Sequence, residues 1–115
     1  MTDVVLLYTT WPDAETAEAF AARAVADRLA ACANVLAPMR SIYRWQGAVE
    51  RAEEIPMILK TSRAAAGALR DRVLAHHPYQ TPCVVALPLA EQGNNPEFLE
   101  WIVAETTPEP QEGPR

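Results

Sequence analysis

The stretch Arg40 to Thr61, RSIYRWQGAVERAEEIPMILKT, constrains this chain more than any other. Ser41 to Trp45 is rich in β-branched and aromatic residues, and Ile55 to Thr61 is a second apolar run, so the two read as strands. Gln46-Gly47 between them supplies a tight turn, with glycine free to take the positive φ that a hairpin requires. If the first arm starts near Asn34 and the second ends near Thr61, each has about thirteen residues and spans roughly 43 Å. A compact domain of this size has a radius of gyration of about 13 Å, hence a diameter of roughly 34 Å. The hairpin therefore projects beyond its own domain. A projecting ribbon that carries Ile42, Tyr43 and Trp45 needs a cover, and another copy of the chain is the simplest one.

Around the hairpin the remaining elements fall in order. Val4 to Tyr8 (VVLLY) is a continuous apolar run of the buried-strand kind. Trp11-Pro12-Asp13 starts a helix with Asp13 as N-cap and Glu15 in the first turn. Its inner face is Ala17, Phe20, Ala21, Ala24, Val25 and Leu29, while Arg23, Asp27 and Arg28 read as a solvated side. In the hairpin's second arm, Glu50, Arg51, Glu53 and Glu54 form a charged run, and Pro56 predicts an edge or a bulge. Ser62 caps a second helix, Arg63 to about His76, which Pro78 stops; its inner face is Ala65, Leu69 and Val73. Cys83 to Leu89 (CVVALPL) is the last core strand. Asn95-Pro96-Glu97 opens a terminal helix, with Phe98, Trp101, Ile102 and Glu105 sharing one side. The sum is an α+β chain: a ferredoxin-like βαββαβ sandwich with an extra C-terminal helix and a long β-hairpin. One domain is expected over residues 1–105, and the Pro-, Glu- and Gly-rich residues 106–115 read as a disordered tail.

Composition removes several functions. A formal charge of −5 over 115 residues opposes nucleic acid and anionic membrane surfaces. No apolar run approaches the roughly twenty residues of a membrane span. Met1-Thr2-Asp3 lacks a basic leader, and the two cysteines, Cys32 and Cys83, are far apart, so reduced thiols in the cytoplasm are expected. No Gly-rich loop adjoins an arginine, no Ser-His-Asp order stands out, and Glu53-Glu54 reads as a solvated acid pair. A protein without catalysis is the expectation.

Several motifs then stand together: Leu29-Ala-Ala-Cys32-Ala-Asn34, Arg40-Ser-Ile-Tyr43-Arg-Trp45-Gln-Gly47, Lys60-Thr61, His77-Pro78-Tyr79, and Asn95-Pro-Glu-Phe-Leu-Glu-Trp101-Ile. In these motifs, and in register from about Val4 to Ala104, the chain closely resembles the CutA divalent-ion tolerance family. The resemblance implies a ferredoxin-like homotrimer similar to the PII signalling proteins, and a role in tolerance of copper and other divalent cations. It also implies a polar cluster near the subunit interface, comprising Cys32, Tyr43, Trp45, Lys60, His77 and Tyr79. Many relatives carry glutamate where this chain has Gln80 and Cys83, so two carboxylates are exchanged for one thiol and a soft copper(I)-type site gains over a hard-cation site.

Each candidate has a plainer reading beside the functional one. Cys32, His77 and Cys83 are the metal candidates, since thiolate and imidazole suit copper and zinc. Cys32 could equally be a small buried hydrophobe, and Cys83 a core residue of the last strand. Tyr43 and Trp45 share a strand face and could be interface packing or, with Lys60 and Tyr79, the lining of a small-ligand site. Lys60 reads either as a snorkelling surface residue or as the cation that holds an anion. The alternative function is accordingly a PII-like trimeric module that binds a small anion or a protein partner in its subunit clefts.

Overall fold

Val4–Trp11 forms the first strand, β1, in the computed structural model of the chain, which describes residues 2–107. The strand outruns its apolar stretch because Thr9 and Thr10 can be buried at hydrogen-bonded positions. Thr9 Oγ1 donates to the Met57 carbonyl at 2.9 Å and accepts from the Trp11 indole N–H at 2.7 Å. Trp11 therefore ends a strand rather than opening a helix, and it is fully buried. Asp13 is the N-cap of α1 (Ala14–Ala26), accepting from the Thr16 N–H at 2.7 Å. That bond holds its carboxyl below the usual range. Ala17, Phe20, Ala21 and Ala24 are buried as the spacing predicts, whereas Val25 is exposed. Arg28, at φ 60°, reverses the chain, and the Leu29 N–H closes the helix on the Ala24 carbonyl at 2.9 Å.

The hairpin's first arm is two strands, β2 (Cys32–Val35) and β3 (Met39–Trp45), and its second is one, β4 (Ala48–Ser62). Both first-arm strands pair antiparallel with β4, β2 against its inner half and β3 against its outer half. The break at residues 36–38 explains Pro56, which lies in a central strand and not at an edge. The Leu36 N–H bonds the Pro56 carbonyl at 2.9 Å, so the proline nitrogen faces the gap between β2 and β3, where the ladder needs no donor. Gln46 and Gly47 form the turn with φ 50° and 83°, the two left-handed residues of a tight hairpin.

Ser62 caps α2 (Arg63–His76), accepting from the Ala65 N–H at 3.2 Å, and Leu69 and Val73 are its buried residues. The strand β5 (Val84–Pro88) is an edge, with Val85 and Leu87 exposed, where a buried core strand starting at Cys83 was expected. An edge tolerates Pro88. Asn95 caps α3 (Pro96–Glu105), accepting from the Glu97 N–H. Of its expected inner face only Ile102 is buried, against Val4 and Ala31; Phe98 and Trp101 stack on each other and stay exposed. The C-terminus of α3 is held by Thr106, which is buried and donates to the Ile102 carbonyl, and by the Arg28 guanidinium on the Ala104 and Thr107 carbonyls at 2.8 and 2.9 Å. Residues 106 and 107 thus belong to the helix end and not to a tail; the rest of the expected tail, 108–115, lies outside the described residues.

The strand order is β2-β4-β1-β5, with β3 on the far half of β4, an antiparallel five-stranded sheet of the ferredoxin-like α+β kind. Helices α1 and α2 cover one face, closing a core of Leu7, Trp11, Phe20, Met57, Leu59, Leu69 and Val73. On the other face α3 covers only the end that carries Val4 and Ala31. Among the described residues nothing covers the rest of that face. The radius of gyration is 15.8 Å, against about 13 Å for a compact chain of this length, and the long axis is 55 Å. The hairpin does project.

Candidate functional site

Alternation along the strands sends Thr10, Cys32, Glu54, Ile58 and Lys60 to the bare face, opposite the core residues Thr9, Ile55, Met57, Leu59 and Thr61. Two groups of polar residues form there, one at each end.

At the root of the hairpin stands Glu54, only 9% exposed, which the sequence had paired with Glu53 as a solvated acid. Period two separates them: Glu53 points out and Glu54 points onto the sheet. The Tyr79 phenol is pushed up to about 12, first by burial, then by the Glu54 carboxylate, with Tyr43 and Asp13 adding to it. Burial also raises the Cys83 thiol, a shift that the Thr10 hydroxyl opposes and Glu54 reinforces. A raised thiol holds its proton, which works against metal ligation. Tyr79 and Cys83 are thus brought together around a residue that no sequence motif singled out, with Tyr43 acting on Tyr79 from the hairpin.

The phenol makes a measurable prediction. Of the three tyrosines, one should ionise near pH 12 rather than 10, and Tyr79→Phe should delete that step in an ultraviolet titration. The folded chain holds this proton more tightly than the unfolded one. The stability it contributes is therefore complete below pH 10 and is lost as pH rises to about 12. A Tyr79 step near pH 10 would contradict this environment.

His77 lies beneath this group and performs a different task from the one the motif suggests. It is the C-cap of α2 and is 8% exposed. Its Nε2 sits 2.8 Å from the Thr10 carbonyl and must donate there, because a carbonyl only accepts. Its Nδ1 accepts from the Tyr79 N–H at 3.1 Å. The ring is packed between Trp11 and Tyr79, with centroids at 4.3 and 4.7 Å. β5 stops at Val84 opposite Thr9, so the next β1 carbonyl has no strand partner, and His77 supplies one. With both nitrogens engaged, His77 has no lone pair left for a metal. His76, by contrast, is exposed.

At the other end, Cys32 lies opposite Lys60 in the β2–β4 ladder. The Lys60 ammonium sits 5.4 Å from the Phe98 ring centroid, in a cation–π contact. Trp45 belongs to neither group; it stands at the hairpin tip, 41% exposed. Four residues along β4 and three strand spacings separate Cys32 from Cys83, roughly 13 and 14 Å, so the thiols are about 19 Å apart. Cys32, His77 and Cys83 do not converge within one chain. Among the described residues no group of three or more His, Cys, Asp or Glu side chains is placed to hold a metal ion. A groove of about 410 Å³ lies on the opposite face between α1 and α2, lined by Trp11, Phe20, Arg23, Arg72 and His76, and none of the motif residues lines it.

A ferredoxin-like sheet with one face largely uncovered and a projecting hairpin defines the class: a small α+β protein of open-faced sheet architecture. Residues 5–105 match the family described as CutA1 divalent ion tolerance protein, and the chain belongs to that family. The Divalent-cation tolerance protein CutA of Thermus thermophilus is 45% identical over 102 residues, covering 89% of this chain and 95% of the relative. Among solved structures, CutA from Xylella fastidiosa superposes with a TM-score of 0.87 at 38% identity, covering 92% of this chain and all of the other. The Periplasmic divalent cation tolerance protein CutA of Archaeoglobus fulgidus gives 0.84 at 40% identity, covering 90% and 99%. The fold and the role in divalent-cation tolerance read from the motifs agree with these relatives.

Proposed function

We propose that this chain serves divalent-cation tolerance as a cytoplasmic homotrimer that binds the metal without catalysis, with copper the first metal to test. The observation that carries the reading is the position of both thiols, Cys32 and Cys83, on the sheet side that the chain leaves bare. Thiolate is the donor that favours copper(I). Since the ligands do not meet within a chain, the reading requires that copies complete the site between them. Cys32 is its principal ligand; Cys83 must first give up a tightly held proton, so its contribution falls as pH drops.

The test is a titration of reduced protein with copper(I) and copper(II) against a competing chelator, run on wild type, Cys32→Ala, Cys83→Ala and His77→Ala, with the mass of each assembly measured. Stoichiometric binding that Cys32→Ala abolishes while the assembly persists supports the reading. Weak binding indifferent to all three substitutions makes the metal role indirect. A second reading, the PII-like anion or partner module, draws on Lys60, whose ammonium makes no ion pair among the described residues. It predicts a metal-independent small ligand whose binding is lost in Lys60→Met.

A further inference from the structure

We propose that Lys60 of one copy pairs with Glu54 of the next, so that each copy supplies the charge the other's bare sheet face lacks; this rests on the assembly reading above. Glu54 is buried within its own chain beside the Tyr79 phenol and the Cys83 thiol, and among the described residues no cation pairs with it. A carboxylate withdrawn from water without a cation is a standing electrostatic deficit. Lys60 is the complementary case. It is the only lysine of the 115 residues, beside nine arginines; it lies half-buried on the same face, with the Phe98 ring against its ammonium and no ion pair among the described residues.

The two cannot meet within a chain. They lie on the same strand and the same face six positions apart, roughly 20 Å. Between and beside them the face is apolar: Leu6, Tyr8 and Ile58 are half-buried, and Val85 and Leu87 are 49% and 41% exposed. An apolar strip with a cation at one end and an anion at the other is matched by a second copy laid head to tail. When Glu54 of one copy meets Lys60 of a second whose own Glu54 meets a third, the contact is heterologous and, where the rotation closes, forms a ring with one such pair at every interface. Arginine at 60 would keep the charge but not the compact ammonium that fits over Phe98.

The experiment mixes unlabelled and ¹⁵N-labelled wild-type protein, exchanges the subunits, and applies a zero-length carbodiimide. The reagent activates a carboxylate, and an amine in contact with it displaces the urea to form an amide. Lys60 is the only lysine amine, so its cross-links map unambiguously by peptide mass. An isotopically mixed Glu54–Lys60 peptide, absent in Lys60→Arg, is the expected result. An assembly whose Lys60 joins other carboxylates, or none, overturns the pairing. A monomeric mass for wild type overturns the assembly reading itself, and the two failures are told apart by that mass. Independently, Glu54→Lys and Lys60→Glu should each raise the concentration at which the assembly dissociates by roughly tenfold or more. The doubly exchanged chain should recover most of that loss; no recovery would count against the pair.

Discussion

His77→Ala is expected to lower folding stability by about 3 kcal/mol, which at this chain length is roughly 15 °C in Tm. The substitution strands the Thr10 carbonyl and the Tyr79 N–H, and it empties the space between the Trp11 and Tyr79 rings. An unpaired buried backbone group costs about 1–3 kcal/mol by itself. His77→Gln, which offers a donor and an acceptor but no ring, should recover part of the loss. Urea or thermal denaturation of the three proteins checks the order. A ligand histidine would behave in the opposite way: His77→Ala would fold with wild-type stability and bind copper poorly, and that pair of results would sink the structural role given to this ring.

The second large effect concerns assembly. Tyr43→Asp with Trp45→Asp should convert the protein to a monomer at micromolar concentration while leaving its circular dichroism unchanged. Both side chains are more than 40% exposed in the single chain, so their replacement removes little from the core. Carboxylates buried against a neighbouring copy cost several kcal/mol each unless they find partners. Ile42 and Val49, 62% and 61% exposed on the same ribbon, show how much apolar surface the hairpin leaves uncovered. An unfolded double variant would instead mean that the ribbon supports its own domain. A fully assembled one would mean that the hairpin is not the contact.

The order of elements was legible from periodicity, and the helix starts from capping chemistry: Asp13, Ser62 and Asn95 each accept from the backbone N–H that their positions predict. The Gln46-Gly47 turn was legible from Gly47, which is free to take positive φ; that Gln46 is left-handed as well was not. What escaped was set by partners distant in sequence. Thr9 and Thr10 look like the end of a strand until Met57, Trp11 and His77 satisfy them. Pro56 looks like an edge residue until the break in the facing arm lies opposite its nitrogen. Glu54 was lost in a run of charges, although the strand period alone separates it from Glu53. His77 matched a motif, but no spacing reveals that both its nitrogens are engaged by backbone. The candidate site was therefore readable as a set of residues and not as an arrangement: Cys32 with Lys60 at one end, Tyr79 and Cys83 around Glu54 at the other.

The most direct test of the central claim, that the binding surface is completed between copies, compares copper(I) affinity in wild type and in the Tyr43→Asp, Trp45→Asp chain under one competing chelator. Both proteins retain Cys32 and Cys83. Stoichiometric binding by the assembled wild type and at least tenfold weaker binding by the folded monomer are the expected results. Equal affinity in the two would place the metal within a single chain and contradict that claim.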